Sequence, residues 1–318
     1  MERHSGPRAP SNAPVEILMA VYNGEAFLSE QIDSILAQSD PRWHLTLSDD
    51  GSTDRSPEII DGYAARHPDR IARHRSGRQF GSARDHFFYL MGRSRAHYLL
   101  FCDQDDVWAP EKVARTRQAL EAAEARRGAD TPILVFSDQT PTDARLNPLA
   151  PSLMRYQKQY FGDFDYRAIL MQNVVTGGAM GINRALADLG GRGAGVPEVL
   201  MHDWWLAAAA ARFGEIVYID QCLGVYRQHG ENEVGAKHVG SAGYVLNRLG
   251  RLQDVRRTIL GKKAQAGAFL GCYGDALGPE DAAFLRGFAR SRSGPGFYLK
   301  YGGLIHGAAR KLGMLALG

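Results

Sequence analysis

The chain has 318 residues, 44% of them apolar and 23% charged, which is a globular composition and excludes a largely disordered protein. At roughly 100–200 residues per domain this is one large α/β domain or two ordinary ones. A net charge of +3 gives no basis for nucleic-acid binding, and a mean hydropathy of −0.30 without an apolar run of about 18 residues gives none for a spanning helix.

Three cysteines, Cys102, Cys222 and Cys272, show no paired spacing. That argues against a disulfide scaffold or zinc ribbon and fits a reducing compartment. Residues 1–14 carry two prolines after residue 6, a third at 14 and no apolar stretch, so they read as a flexible tail and not as a secretory signal.

Strand and helix then alternate. Residues 15–21 (VEILMAV) form an apolar run that ends at the turn signal Asn23-Gly24. Residues 25–37 put Leu28, Ile32, Ile35 and Leu36 on one helical face. Residues 43–47 read as a strand running into DDGSTD, and 57–66 as a helix. A weak strand at 71–75 and a helix at 83–91 follow. Residues 97–102 (HYLLFC) are a buried strand leading to DQDD, and 110–125 are a long helix with Pro110 in its first turn. Residues 133–137 are a fifth strand. This order predicts right-handed crossovers and a mainly parallel sheet.

After Asp138 the rhythm changes. Residues 139–166 read as loop, 179–182 as a strand beside TGG, and 202–213 as a helix after a Gly-rich loop at 190–195. Residues 216–219 and 223–226 are expected to be a final strand pair. From about residue 236 the chain reads as helical and basic.

Ligands of open α/β sheets bind beyond the carboxyl ends of the strands. Tyr22-Asn23, Asp49-Asp50-Gly51-Ser52 and Asp103-Gln104-Asp105-Asp106 all fall there. Three carboxylates in four residues repel one another unless a cation is present. Hard oxygen ligands select Mg²⁺ or Mn²⁺, which complete their shells with phosphate oxygens. The alternative is a solvated acidic turn at a helix start. Asp50 has the chemistry to accept an imide N–H of a pyrimidine, while Ser52, Thr53 or Asp54 suits a helix cap. His202-Asp203-Trp204-Trp205 offers a carboxylate for general base work, or merely an acid at a helix start with core tryptophans. Arg227 and His229 suit a diphosphate, and His229 also a metal shell; a polar strand exit is the plainer alternative. Thr176-Gly177-Gly178 permits close approach of a substrate, or is a turn.

The strings ILMAVYNGEAFLSEQIDSILAQ, LSDDGSTD, LLFCDQDDVWAPEKV, TGGAMGINR, HDWWL and YRQHGEN, in this order over residues 15–235, resemble family 2 inverting glycosyltransferases. HDWWL with YRQHG is most similar to the bacterial rhamnosyltransferase-like branch. The resemblance implies a GT-A fold: a Rossmann-like, mostly parallel central sheet flanked by helices, in a domain over 15–235, with a C-terminal helical extension over 236–318. It implies a nucleotide-diphosphate sugar donor (dTDP- or UDP-sugar) bound by Tyr22, Asn23, Asp50, Arg84, Asp103, Gln104 and Arg227. It implies a metal at Asp105 and His229, a catalytic base at Asp203, and an acceptor or sugar pocket with Thr176, Gly177, Gly178, His202 and Trp204. The acceptor would be a glycan or lipid-linked hydroxyl in surface polysaccharide synthesis. Two positions depart from the family pattern: His202 stands where many members have an acid, and Asp85 follows Arg84 where many have Asn.

Two other readings are weighed against this. A sugar-phosphate nucleotidyltransferase needs a Gly-rich basic loop near residue 22, which is missing. An inactive carbohydrate-binding scaffold does not need Asp105 and Asp203 together. Residues 286–318 carry six Lys or Arg side chains and no acid, beside Phe297, Tyr301, Leu304 and other apolar residues. This pattern suits an anionic membrane surface at the cytoplasmic face, or a helical hairpin packed on the catalytic domain.

Overall fold

The computed structural model describes residues 14–157, 159, 164–229, 252–290, 297 and 300–304. The expected tail, the end of YRQHGEN and most of the basic C-terminal stretch lie outside these residues.

Eight strands form one sheet: β1 (Val15–Val21), β2 (Trp43–Asp49), β3 (Ile71–His74), β4 (Tyr98–Cys102), β5 (Val107–Trp108), β6 (Ile133–Thr142), β7 (Met180–Asn183) and β8 (Glu215–Arg227), in the order β3-β2-β1-β4-β7-β6-β8-β5. The pairs β2–β3, β1–β2, β1–β4 and β6–β8 are parallel. β7 runs against both neighbours and β5 against β8. The expected mostly parallel sheet is therefore present, with β7 joining its two parallel halves.

The helices that cover it among the described residues include α1 (Leu28–Leu36), α2 (Ser56–Arg66), α3 (Ala83–Arg93), α4 (Lys112–Arg127), α5 (Leu153–Tyr156), α6 (Tyr166–Met171), α7 (Arg184–Gly190), α8 (His202–Phe213), α9 (Leu252–Tyr273) and α10 (Pro279–Ala289). One face of the sheet packs against α1, α2 and α4 through Ile32, Ile35, Ile60, Val113 and Leu120. The other packs against α3 and α6 to α10 through Phe87, Leu170, Leu186, Trp205, Phe269 and Phe284. Each such side chain contributes roughly 1.5–3 kcal/mol of burial. Alternate residues of β1 serve the two cores: Ile17 and Met19 one, Leu18 the other.

The C-terminal helices share this core. Phe269 and Tyr273 of α9 lie 5.3 and 5.5 Å from Trp205 of α8, ring centre to ring centre. Phe297 and Tyr301 pack on Phe284 at 5.7 and 4.9 Å. These two apolar residues of the basic stretch thus face protein, which favours the packed-hairpin alternative for that part of the chain. No described helix is long and apolar enough to cross a membrane.

Several expectations are corrected. The final strand pair is a single strand, β8, because its break is absorbed as bulges: Ile219 pairs with Ser137 but Cys222 with Asp138, and Val225 with Thr140. β6 runs on to Thr142 through Pro141, and β7 pairs only with Leu134–Phe136, so the proline needs no ladder donor on that side. The first helix begins at Leu28 because Gly24 and Glu25 are tied to the start of α2 and the loop before it. The stretch 139–166, expected to be loop, holds the end of β6 and α5, with α6 beginning at its last residue, and the Gly-rich loop at 190–195 is the end of α7 with a 3₁₀ turn.

Candidate active site

The loops after β1 and β2 are laced together. Asn23, Gly24 and Glu25 donate their backbone N–H groups to Ser52 Oγ, Ser56 Oγ and Asp54 Oδ2, each at 2.8 Å. Asn23 Oδ1 accepts Thr53 N–H at 2.8 Å. Asn23 adopts φ +49°, which Asn tolerates better than most residues. Tyr22 stands exposed at the mouth, and Gln104 clamps its backbone by accepting from Tyr22 N and donating to Tyr22 O, both at 2.8 Å. The clamp joins the first loop to the acidic loop after β4.

Asp50 is buried. Its carboxylate accepts the N–H groups of Phe80 and Gly81 at 2.5 and 2.8 Å, anchoring the loop that leads to α3. Arg84, in the first turn of α3, pairs with Asp85 at 2.8 Å and donates to the carbonyls of Pro197 and Val199. Asp85, the departure from the family pattern, is thus the partner that turns Arg84 toward 197–199.

In the acidic loop, Asp106 is 1% exposed. It accepts from Gln139 Nε2 at 2.9 Å and from Arg227 N at 3.3 Å. Burial first, then the charges of Asp105 and Asp103, push its carboxyl well above the usual range. Asp103 and Asp105 thus act on Asp106 as crowding like charges.

Thr176, Gly177 and Gly178 open the 3₁₀ turn before β7 and bring this loop to α8. A methyl placed on Gly178 would stand 2.6 Å from Asp103 Oδ2 and 3.0 Å from Asp106 Oδ2. One placed on Gly177 would stand 3.2 Å from His202 Nε2 and 3.7 Å from Asp203 Oδ2. Two glycines thus hold the acidic loop on one side and the His202-Asp203 pair on the other. Asp203 lies in the first turn of α8, its carboxylate accepting the N–H of Trp204 at 2.5 Å. His202 is 3% exposed between Phe87 and Phe101, and neither ring nitrogen has a hydrogen-bond partner among the described residues. Burial alone pushes its imidazole down to about 3, so it is neutral beside Asp203. Trp204 donates its indole N–H to Ile169 O at 2.6 Å, and Lys262 of α9 lies 5.4 Å from its ring centre.

The end of β8 closes the site. His229 Nε2 meets Asp105 Oδ2 at 2.7 Å. Arg227 is 3% exposed beneath the loop. It donates to the carbonyls of Asp105 and Ala144 at 2.8 Å, pairs with Glu30, and lies over the Phe27 ring at 4.6 Å.

Among the described residues no three His, Cys, Asp or Glu side chains gather at metal spacing. The donor set still fits a hard divalent ion. Mg²⁺ is held by one or two protein ligands with phosphate oxygens completing its shell. Asp105 and His229 already touch, and the charge crowding at Asp103, Asp105 and Asp106 is what a cation would relieve.

Sequence reading missed four residues. Glu30 and Phe27 hold Arg227 from α1 and the turn before it, and Gln139 reaches Asp106 from β6. The fourth is Tyr226: burial, then Asp106, Asp103, Asp105 and Asp203, push its hydroxyl up, so the acidic loop and Asp203 share one electrostatic neighbourhood. Only Tyr226 carried a signal, its place in YRQHG.

The chain is similar to known proteins in sequence and in fold. The chain is 28% identical over 244 residues to dTDP-rhamnosyl transferase RfbG of Shigella flexneri, covering 74% of this chain and 79% of that one. It is 31% identical over 150 residues to the putative glycosyltransferase EpsE of Bacillus subtilis, covering 46% and 51%. The fold is like that of S. aureus TarS 1-349 solved with UDP-GlcNAc, with a TM-score of 0.57 at 14% identity over 95% of this chain and 78% of that one. It is also like the mannosyltransferase PcManGT of Pyrobaculum calidifontis solved with GDP-Man and Mn²⁺, with a TM-score of 0.50 at 16% identity over 97% and 86%. The architecture is the GT-A type expected from the sequence. The profile of Glycosyl transferase family 2 matches residues 16–190, more than half of the chain, and the chain belongs to that family.

Proposed function

We propose that this glycosyltransferase moves a sugar, with inversion, from a nucleoside-diphosphate sugar to a hydroxyl of a glycan or lipid-linked acceptor during assembly of a bacterial surface polysaccharide. The observation that carries the reading is the meeting of the acidic loop and Asp203 across Gly177-Gly178. The relative named as a dTDP-rhamnosyl transferase makes dTDP-rhamnose the first donor to test, with UDP-sugars next.

The exposed Tyr22 and the loop held by Asp50 frame the nucleotide end of the cleft. Asp103 faces the sugar-diphosphate end. Asp203 takes the proton of the acceptor hydroxyl; that oxygen bonds to the anomeric carbon as the bond to the diphosphate oxygen breaks. A single displacement inverts the configuration and needs one base, not a nucleophilic carboxylate. Neutral His202 adds no charge beside the base. Arg227 acts from beneath, fixing the Asp105 backbone and Glu30. Asp105 and His229 would hold Mg²⁺ or Mn²⁺, which when bound supplies positive charge for the leaving diphosphate.

The test is transfer from a panel of dTDP-, UDP- and GDP-sugars, with the anomeric configuration of product read by NMR. Inverted product with one donor class supports the proposal. Retained configuration, or no transfer with any donor while the protein is folded, overturns it.

A further inference from the structure

α8 begins without a capping side chain. Its N-cap residue is Met201, whose side chain has no oxygen to accept the first N–H groups of the helix. The chain just before it is gripped from outside, at both ends of one peptide unit. The carbonyl of Val199 accepts Arg84 Nη1 at 2.7 Å. The N–H of Leu200, the other end of that peptide, donates to Gln265 Oε1 at 2.8 Å. Arg84 comes from the first turn of α3 and Gln265 from α9. Asp203 follows three residues later, in the first turn of α8.

Each partner is itself held. Arg84 Nε and Nη2 donate to the two carboxylate oxygens of Asp85, both at 2.8 Å, a fork that a lysine cannot copy. With Nη1 on Val199 and Pro197, all three guanidinium nitrogens donate to protein. α3 is anchored in turn by its cap Ser82 and by Phe80 and Gly81, whose N–H groups go to Asp50. On the other side, α9 presses on Leu200: a methyl placed on Gly261 would stand 2.9 Å from Leu200 Cδ2. Gln265 is fully buried, and its Nε2 has no partner among the described residues. A stranded amide end costs roughly 1–3 kcal/mol, so stability alone would favour an apolar side chain there. The other end of the same amide is what reaches Leu200.

We propose that Arg84 and Gln265 are positioning residues that clamp the 199–200 peptide and set the entry of α8, so that Arg84 serves turnover through Asp203 and not as a contact to the nucleotide. The proposal rests on the glycosyl-transfer reading above, in which Asp203 is the base.

The experiment uses the full chain with Arg84→Met, Gln265→Met and both together, each also in an Asp203→Asn background. Donor affinity is read by calorimetry, turnover at saturating donor and acceptor, and folding by melting temperature. Arg84→Met should bind donor within a few-fold of the parent and turn over about 10–10²-fold more slowly, the size expected when a reacting group is misplaced by about 1 Å. Gln265→Met should show the same split. The double variant should lose less than the product of the two single losses, because both act on one peptide. Arg84→Lys should recover part of the turnover. In the Asp203→Asn background Arg84→Met should change the melting temperature as before but leave the residual turnover within about twofold, since residues that act as a unit are not additive. If Arg84→Met does not fold, Gln265→Met and Arg84→Lys in the two backgrounds carry the same comparison. A loss confined to donor affinity makes Arg84 a donor contact and overturns the proposal. So does an equal loss of turnover in both backgrounds, or a Gln265→Met variant that turns over like the parent. These three results leave the transfer reading standing, whereas a folded parent that transfers no sugar from any donor overturns both.

Discussion

Asp103 and Gly178 meet so closely that no side chain fits between them. A methyl on Gly178 would lie 2.6 Å from Asp103 Oδ2 and 3.0 Å from Asp106 Oδ2, both inside normal contact. Gly178→Ala should therefore displace the acidic loop. Overpacking of this kind costs roughly 1–3 kcal/mol. The kcat/KM should also fall, by about 10²-fold, because misplacement of reacting groups by about 1 Å is felt strongly. Gly177→Ala meets His202 at 3.2 Å and should be milder. Kinetics and melting curves of the two variants check the order.

Asp203→Asn keeps the size of the side chain and removes its basicity. As general base, Asp203 should contribute about 10²–10⁴-fold to turnover. Donor affinity, measured by calorimetry, should stay within a few-fold of the parent. Turnover close to the parent's would reduce Asp203 to an acid at a helix start.

The contact between Asp105 and His229 predicts their joint loss of function. EDTA should abolish transfer and added Mn²⁺ should restore it. Asp105→Ala and His229→Ala should each weaken Mn²⁺ binding, read by electron paramagnetic resonance, by at least roughly tenfold. Full transfer in excess EDTA would take the ion out of the reaction.

The elements of the first half were legible where pattern and environment coincide. β1 has the bounds expected from VEILMAV because an apolar run between turn residues has one low-energy placement in a two-faced sheet. α8 likewise begins at His202 and ends at Phe213 as its sequence indicates. β5 was not legible, since two residues carry no period, and its existence depends on Val225 and Gly224 of β8. The continuity of β8 was hidden because its bulges are set by β6. The motifs located the candidate site, but not its supports. Glu30 and Arg227 are far apart in sequence and meet only in the folded chain.

Asp281 ties the C-terminal helices to the elements that flank Asp203. From α10 its carboxylate accepts Tyr166 Oη at 2.7 Å and Arg167 at 3.0 Å, both from α6, and pairs with Arg212 of α8 at 2.7 Å. α6 in turn receives the indole N–H of Trp204, next to Asp203. Burial pushes the Asp281 carboxyl up, but the hydrogen bonds from Tyr166, Arg167 and Arg212 outweigh it and hold it below the usual range. A carboxylate depressed in the folded state binds fewer protons than in the unfolded chain. Its stabilisation is therefore complete above the ordinary carboxylate value and is lost as pH falls through the lower folded value. Asp281→Asn should cost about 1–3 kcal/mol at pH 7, less than a fully buried pair because both arginines keep some solvent contact. The difference in melting temperature between Asp281→Asn and the parent should hold from pH 7 to about 5 and then close as pH drops below about 4. A gap of constant size down to pH 3 would mean that Asp281 acts through shape and not through charge.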